Sequence, residues 1–341
     1  MSVEIKLFDK RDGFYHLIGS PLALASEPYS KKAWMKFDCI PALQFPNQKY
    51  VQGTVSNVDC YSKVATIRSV SGDIEGSYDY LIVSSGLRRY LSEAGEQIES
   101  IRRSTEAIVV IGGGTVGIEM ASELKGIHPT KTLKLIQSRD KLLSSEPLPD
   151  DFKDQTLSLL EEAGVEVTRN NRVTDVTAVK YAEGSSVYKV TLSDGIQSMA
   201  SHVIWAISKS IPRADYLRVA ALNNEGLPRL IRDVANPKHH FAAGDIVAWS
   251  GIKRCGAAMA MGHNAAFNIH QQMLESQFGH TPGFMEFPEV PPMISLVVGK
   301  KAILYSPSEG TQSGAEVMKN FFGDDLGLKS MNSSLRISTG C

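Results

Sequence analysis

Ala107-Ile-Val-Val-Ile-Gly-Gly-Gly-Thr-Val-Gly-Ile-Glu-Met-Ala-Ser-Glu-Leu124 is the stretch that decides the fold of this chain. An apolar, β-branched run enters a group of glycines and continues with helical spacing, which predicts a strand, a tight turn and a helix. Gly112, Gly114 and Gly117 form the pattern G-x-G-x-x-G. In this pattern the first glycine permits the turn, the second lets the backbone approach a pyrophosphate, and the third lets the helix pack on the strand.

The predicted helix begins near Thr115, where unpaired N–H groups and the helix dipole favour a bound phosphate. Leu133-Lys-Leu-Ile-Gln137 follows at the distance expected of a second strand. The sequence therefore predicts a dinucleotide-binding βαβ unit in which Thr115 and the three glycines contact the pyrophosphate. The alternative is a glycine-rich turn in some other α/β domain.

The end of the second strand indicates which dinucleotide is bound. About twenty residues past Gly117, where an acid would select NADH, the sequence has Gln137, followed by Ser138 and Arg139. A neutral and then basic strand end tolerates a 2′-phosphate, whereas an acid would repel it. We therefore expect Ser138 and Arg139 to contact the dinucleotide, and NADPH to bind at least as well as NADH.

Composition excludes several classes of function. The chain has 341 residues, enough for two domains or more, and a net charge of −1, which provides no field to attract nucleic acid or anionic lipid. No apolar run approaches the length of a membrane span. The four cysteines are far apart without a C-x-x-C pair, which argues against a structural metal and a disulfide framework. We expect a small-molecule substrate, no metal, and a reducing, cytoplasmic location.

The N-terminal residues predict part of a second dinucleotide-binding unit. Val3-Glu-Ile-Lys-Leu-Phe8 alternates apolar and polar residues, as strands do, and Asp9 follows it. An acid at this place contacts the ribose of a dinucleotide, although a solvated strand end would look the same. Only Met1 and Ser2 precede the strand in this sequence, so the first strand, glycine turn and first helix of that unit are absent from it.

These motifs, in their order and spacing, resemble those of flavoproteins with two dinucleotide-binding domains. The resemblance is to the apoptosis-inducing-factor-like and ferroptosis-suppressor type, in its fungal form, and beyond them to type II NADH dehydrogenases. It covers almost the whole chain, from Phe8-Asp-Lys-Arg-Asp-Gly-Phe-Tyr-His16 and Leu81-Ile-Val-Ser-Ser-Gly86 to Ala243-Gly-Asp245 and Lys253-Arg-Cys-Gly-Ala-Ala-Met-Ala-Met-Gly-His263. In such proteins NAD(P)H passes a hydride to FAD, and the flavin reduces a quinone or another small acceptor.

The resemblance also implies roles for individual residues. Glu119 matches an acid near the nicotinamide, although a first-turn glutamate that complements the helix dipole would look the same. Gly244 and Asp245 match the place where an aspartate bonds the ribityl chain of the flavin, with a plain helix cap as the alternative. Lys253 and His263 are on the segment that would face the flavin or whatever fills its space.

The sequence predicts an α/β fold: an NAD(P)-binding Rossmann domain over 104–230 within an incomplete FAD-type domain made of 1–103 and 231–283. Its sheet would include a meander of Val173 to Val179, Val187 to Leu192 and His202 to Ile207, and a strand module with a frayed tail follows over 284–341.

Two functions compete for this fold. The first is an NAD(P)H-dependent oxidoreductase of quinone-like or other small organic acceptors, with FAD in doubt because its pyrophosphate turn is missing and with a homodimer possible. The second is a member that has lost the flavin and uses the vacated cavity for a cyclisation or isomerisation in secondary metabolism. A truncated gene model without stable activity is a third possibility.

Overall fold

The structure is a computed structural model, and it describes residues 3–87, 94–180, 186–207, 211–218, 221–222, 235–249, 252–253 and 255–334. The strands are β1 Ile5–Asp9, β2 Gly13–Tyr15, β3 Trp34–Lys36, β4 Gln48–Gln52, β5 Thr54–Asp59, β6 Val64–Ser69, β7 Gly72–Ser77, β8 Leu81–Val83, β9 Ala107–Ile111, β10 Leu133–Ile136, β11 Glu166–Thr168, β12 Val173–Lys180, β13 Ser186–Leu192, β14 Gln197–Trp205, β15 His240–Ala242, β16 Ile294–Val298, β17 Lys301–Ser306 and β18 Gly310–Gly314. The helices are α1 Ser20–Ala25, α2 Glu27–Ala33, α3 Ala94–Arg103, α4 Thr115–Ile127, α5 Asp150–Glu162, α6 Cys255–Phe278, α7 Ala315–Phe321 and α8 Leu328–Ser334.

A six-stranded sheet in the order β11-β10-β9-β14-β13-β12 forms the centre of the molecule. β9 is parallel to both β10 and β14, and β12, β13 and β14 form an antiparallel meander. Every residue of β9 is buried, as expected of a strand covered on both faces. The predicted βαβ unit and meander are therefore confirmed, although β14 begins five residues earlier than the sequence predicted, at Gln197.

Helices and the C-terminal strands cover one face of this sheet. Ile118, Ala121 and Leu124 of α4 are completely buried and share one apolar core with β9, β10, α5 and β16. β16, β17 and β18 form an antiparallel sheet, and α7 packs on β17. The C-terminal module thus contributes directly to the core beside the glycine turn.

The part of the chain that resembles a FAD domain is divided into small sheets. β1 pairs in parallel with β4, β8 pairs in parallel with β15, and no described strand joins these two pairs. Ile5 and Leu7, on the same face of β1, are 47% and 37% exposed, and Ile82 of β8 is 39% exposed. Apolar residues of parallel strands are normally covered on both faces, so the described chain lacks a neighbour at this place.

The predicted division into domains stays a prediction, and its boundary near residue 230 lies outside the described residues. Within the described ranges no helix is both long enough and apolar enough to span a membrane.

Candidate functional site

The glycine turn between β9 and α4 has the geometry that its motif predicts. Gly112 has a φ of +118°, a conformation that residues with a side chain rarely adopt. A Cβ atom on Gly117 would lie 1.9 Å from the carbonyl oxygen of Gly112, so only glycine permits this approach of helix and strand. At Gly114, by contrast, no atom lies within 4 Å of an added Cβ. The turn is therefore tight on its protein side and open at Gly114.

Gln137, at the end of β10, is buried and turns back toward the glycine turn. Its Oε1 accepts the N–H of Gly113 at 3.2 Å, and its Nε2 donates to the carbonyl oxygen of Lys141 at 3.0 Å. Ser138 and Arg139, which follow it, are exposed and line the same cleft as the glycines. The residue at the acid position of the motif is thus neutral and already hydrogen-bonded within the protein.

Glu119 lies one turn into α4, on the wall of the cleft. The side chain is partly exposed there, yet its carboxylate is surrounded by protein, and Oε1 accepts the N–H of Val297 in β16 at 3.4 Å. Burial raises the pKa of Glu119 to about 8, against the opposing effect of the Val297 N–H, and the nearby Glu123 adds to the increase. Glu119 is therefore mostly protonated at neutral pH and is able to donate a proton.

Glu123 follows Glu119 by one helical turn and is buried, with 8% of its surface exposed. No Lys, Arg or His among the described residues forms an ion pair with it, and burial raises its pKa to about 7. Its position directly before Leu124, the last residue of the stretch that decides the fold, was visible in the sequence, but its burial was not.

The cleft that contains these groups is large and open, with a volume of about 4090 Å³. It extends from the glycine turn along β1, β8 and α6 to α8. Exposed apolar side chains line it, among them Ile82, Val116, Trp205, Ile207, Met259 and Phe321. An exposed apolar surface of this kind indicates a binding site for an organic ligand.

His16 is a further polar residue on the cleft wall, and sequence reasoning did not single it out. The hydroxyl of Tyr29 donates its one proton to the carbonyl oxygen of Asp325 at 2.9 Å, so Nδ1 of His16 donates to the Tyr29 oxygen at 3.0 Å. Burial lowers the pKa of His16, although Asp325 opposes this effect. Neutral His16 therefore has an unprotonated Nε2, which is buried and has no hydrogen-bond partner in the part of the chain that the structure describes.

The residues predicted to contact a flavin also line the cleft, but several of them are already hydrogen-bonded to other groups of the protein. The carboxylate of Asp9 accepts the N–H of Arg11 at 2.9 Å and its guanidinium at 3.2 Å. Lys253 donates its Nζ to the carbonyl oxygens of Asp245 and Val247, at 2.5 and 2.9 Å. Lys253 therefore fastens the loop before α6, which is a structural role that the sequence did not predict.

His263 is exposed on α6 and is not among the residues that line the cleft, although Met259, one helical turn before it on the same face, does line it. The role of His263 in the chemistry therefore stays a prediction.

Comparison with known proteins identifies the family. The profile of the pyridine nucleotide-disulphide oxidoreductases matches residues 42–262. Oxidoreductase OXR1 of Ajellomyces capsulatus is 47% identical over 348 residues, which cover 96% of this chain and 75% of that protein. Ferroptosis suppressor protein 1 of Mus musculus is 24% identical over 306 residues, covering 84% of this chain and 79% of that protein.

A solved structure has the same fold. The NAD-dependent persulfide reductase from A. fulgidus superposes with a TM-score of 0.68 at 18% identity, over 93% of this chain and 61% of its own. The resemblance inferred from the motifs is thereby confirmed. The chain belongs to the pyridine nucleotide-disulphide oxidoreductase family.

Proposed function

We propose that the protein uses a reduced nicotinamide dinucleotide to reduce a quinone-like or other small organic acceptor. One observation carries this proposal: the open glycine turn, Glu119 with its raised pKa and a set of exposed apolar side chains line the same cleft. The membership of an oxidoreductase family supports it.

The residues present fit a nicotinamide dinucleotide. The space next to Gly114 would admit the pyrophosphate, and the N–H groups of the first turn of α4 have no carbonyl partner within the helix. Gly112, Gly114, Thr115 and Gly117 would hold the pyrophosphate, and Ser138 and Arg139 the adenosine end. A reduced nicotinamide supplies a hydride when it is bound.

The described residues do not fit FAD equally well. Its diphosphate would need a second glycine turn at the start of a helix. The helices described near β1 are α1 and α2, which have six and seven residues and no such turn. The carboxylate of Asp9 is bonded to Arg11, and the open edges of β1 and β8 face the cleft without a strand between them. We therefore assign no step of the reaction to a flavin.

The chain's own residues would contribute binding and proton transfer. The apolar wall near Trp205 and Met259 would bind the ring of the acceptor and exclude water from it. Reduction of a carbonyl adds one hydride and one proton, and Glu119 would deliver the proton to the acceptor oxygen. Solvent in the open cleft would then reprotonate Glu119, so the reaction consumes one proton for each dinucleotide oxidised.

The competing hypothesis of a cyclisation or isomerisation receives no support from the relatives, which are named as an oxidoreductase, a ferroptosis suppressor protein and a reductase. A homodimer and a cytoplasmic location stay predictions from the sequence.

The experiment that tests the proposal follows oxidation of NADPH and NADH by absorbance under anaerobic conditions, with menadione and other quinones, with and without added FAD. Gly114→Asp serves as the inactive control, because the open space admits its side chain while the added charge repels a pyrophosphate. We expect acceptor-dependent oxidation by the wild type and none by Gly114→Asp. Oxidation that no acceptor stimulates, or that Gly114→Asp retains, would contradict the proposal.

A further inference from the structure

The loop that follows β11, the strand next to β10, lies beside the end of β10. The N–H of Asn170 donates to the carbonyl oxygen of Arg139 at 3.0 Å, and the N–H of Asn171 donates to that of Gln137 at 3.2 Å. The end of the second strand in a dinucleotide-binding unit is where the adenosine ribose is bound. The segment 169–172 between β11 and β12 therefore forms a second wall of that place.

A buried asparagine fixes the conformation of this loop. Asn171 is 7% exposed, and its Oδ1 accepts both the N–H and the hydroxyl of Ser193, at 3.1 and 2.8 Å. Its Nδ2 donates to Asp194 at 2.5 Å, and the N–H of Ser193 donates to the carbonyl oxygen of Arg172 at 2.8 Å. The N–H of Arg172 also donates to the hydroxyl oxygen of Ser193 at 3.2 Å, so the backbone of Arg172 is held through both its N–H and its carbonyl group.

Three arginines surround the end of β10, and they differ in what they bind. Arg169 donates its guanidinium to the carbonyl oxygen of Asp140 at 2.7 Å. Arg139 and Arg172 are exposed, line the cleft, and lie more than 4.0 Å from any carboxylate of the described residues. Lys141 is paired with two acids of α5, Asp150 and Asp154, at 3.2 Å each. The end of β10 thus has two guanidinium groups without a carboxylate partner among the described residues, those of Arg139 and Arg172, and a neutral Gln137 that is turned inward.

We propose that Arg172, together with Arg139, binds the 2′-phosphate of NADPH, so that two loops supply the selection of the phosphorylated dinucleotide. The inference rests on the proposed use of a nicotinamide dinucleotide. A guanidinium presents a planar set of donors that matches phosphate oxygens. Because the two arginines come from loops after different strands, they would approach the phosphate from two sides, and the sequence position of Arg172 gives no indication of this.

The test uses 2′,5′-ADP and 5′-AMP, which differ by the 2′-phosphate alone, in calorimetric titrations of the full chain. We expect wild type to bind 2′,5′-ADP more tightly, and Arg172→Ala to weaken this binding about tenfold, equivalent to about 1.4 kcal/mol, with 5′-AMP unchanged. Arg169→Ala is the matched control, because its guanidinium is engaged by a backbone carbonyl, and it should leave the ratio of the two affinities unchanged. Arg172→Lys should retain part of the preference.

Several results would overturn the inference. An unchanged ratio in Arg172→Ala would remove Arg172 from the site, and an equal loss in Arg169→Ala would reduce the effect to general positive charge. Inorganic phosphate that competes as well as 2′,5′-ADP would indicate an anion site with no relation to the dinucleotide. Absence of binding by either nucleotide would contradict the nucleotide site itself, and with it the proposed function, whereas equal binding of the two contradicts this inference alone.

Discussion

The side-chain oxygen of Gln137 accepts a hydrogen bond from the backbone N–H of Gly113 across 3.2 Å, although the two residues are 24 positions apart in the sequence. This bond turns the side chain inward and leaves the end of β10 without a negative charge. The arrangement joins the turn that would hold the pyrophosphate to the position that distinguishes NADPH from NADH.

Gln137→Glu should weaken NADPH binding about tenfold relative to NADH, because the introduced carboxylate repels a 2′-phosphate. Titration of both dinucleotides measures the ratio of affinities. Gln137→Leu is the control, since it loses the same hydrogen bonds without adding charge and should keep the wild-type ratio. An unchanged ratio in Gln137→Glu would contradict the assignment of this strand end to the adenosine ribose.

Glu119→Gln should lower kcat at least about tenfold with the acceptor reduced by the wild type, because the amide retains the size of the side chain but donates no acidic proton. The acid form is the active one, so kcat of the wild type should fall as the pH rises through about 8, the pKa of Glu119. The fall of kcat with rising pH should be absent in Glu119→Gln. A full rate in the variant would return Glu119 to the role of a charge near the start of a helix.

The two buried glutamates of α4 should make folding stability depend on pH. The pKa values of Glu119 and Glu123 are raised in the folded protein, to about 8 and about 7, above the ordinary value of 4.5. The folded state therefore binds more protons than the unfolded state between pH 4.5 and 8, and stability falls as the pH rises through this range.

In the double variant Glu119→Gln, Glu123→Gln this loss should be absent, so its Tm should exceed that of the wild type by at least about 2 °C at pH 9. Thermal unfolding at pH 5 and pH 9 measures the difference. Glu106→Gln, at an exposed position, is the control. If the difference in Tm between the wild type and the double variant is the same at pH 5 and at pH 9, the carboxylates are solvated and the prediction is wrong.

The 341-residue chain should purify colourless, or with substoichiometric flavin that dialysis removes. A diphosphate buried without N–H donors costs several kcal/mol, which is about two or three orders of magnitude in affinity. The absorption spectrum after dialysis measures the flavin content. A yellow protein with one FAD per chain would contradict the conclusion that the described residues do not fit FAD.

The local pattern of the sequence predicted the centre of the fold well. A β-branched run before Gly112 and the helical spacing after Gly117 are local signals, and β9, α4, β10 and the meander are found where they were expected. A strand module over 284–341 was also predicted, but its two short helices, α7 and α8, were not, because their sequences have little periodicity.

The candidate site was predicted only in part, for a physical reason. His16 depends on Tyr29 and Asp325, and Glu119 depends on Val297 of β16. These partners are distant in sequence, so the hydrogen bonding of both residues leaves no local pattern. The same holds for Lys253, whose bonds to two carbonyl oxygens depend on the path of its own loop. Chemistry-bearing residue types were therefore recognisable, but their partners were not.

The most direct test of the central claim is a titration of NADPH followed by tryptophan fluorescence. Trp205, at the end of β14, is 58% exposed and lines the cleft, so a bound nicotinamide should quench it. We predict a saturable signal in the wild type, a smaller signal at saturation in Trp205→Phe, and no binding in Gly114→Asp, because the open space at Gly114 admits the side chain without disturbing the fold while its charge repels the pyrophosphate. The absence of a saturable response to NADPH and to NADH, or an equal response in Gly114→Asp, would contradict the claim that this cleft binds the dinucleotide.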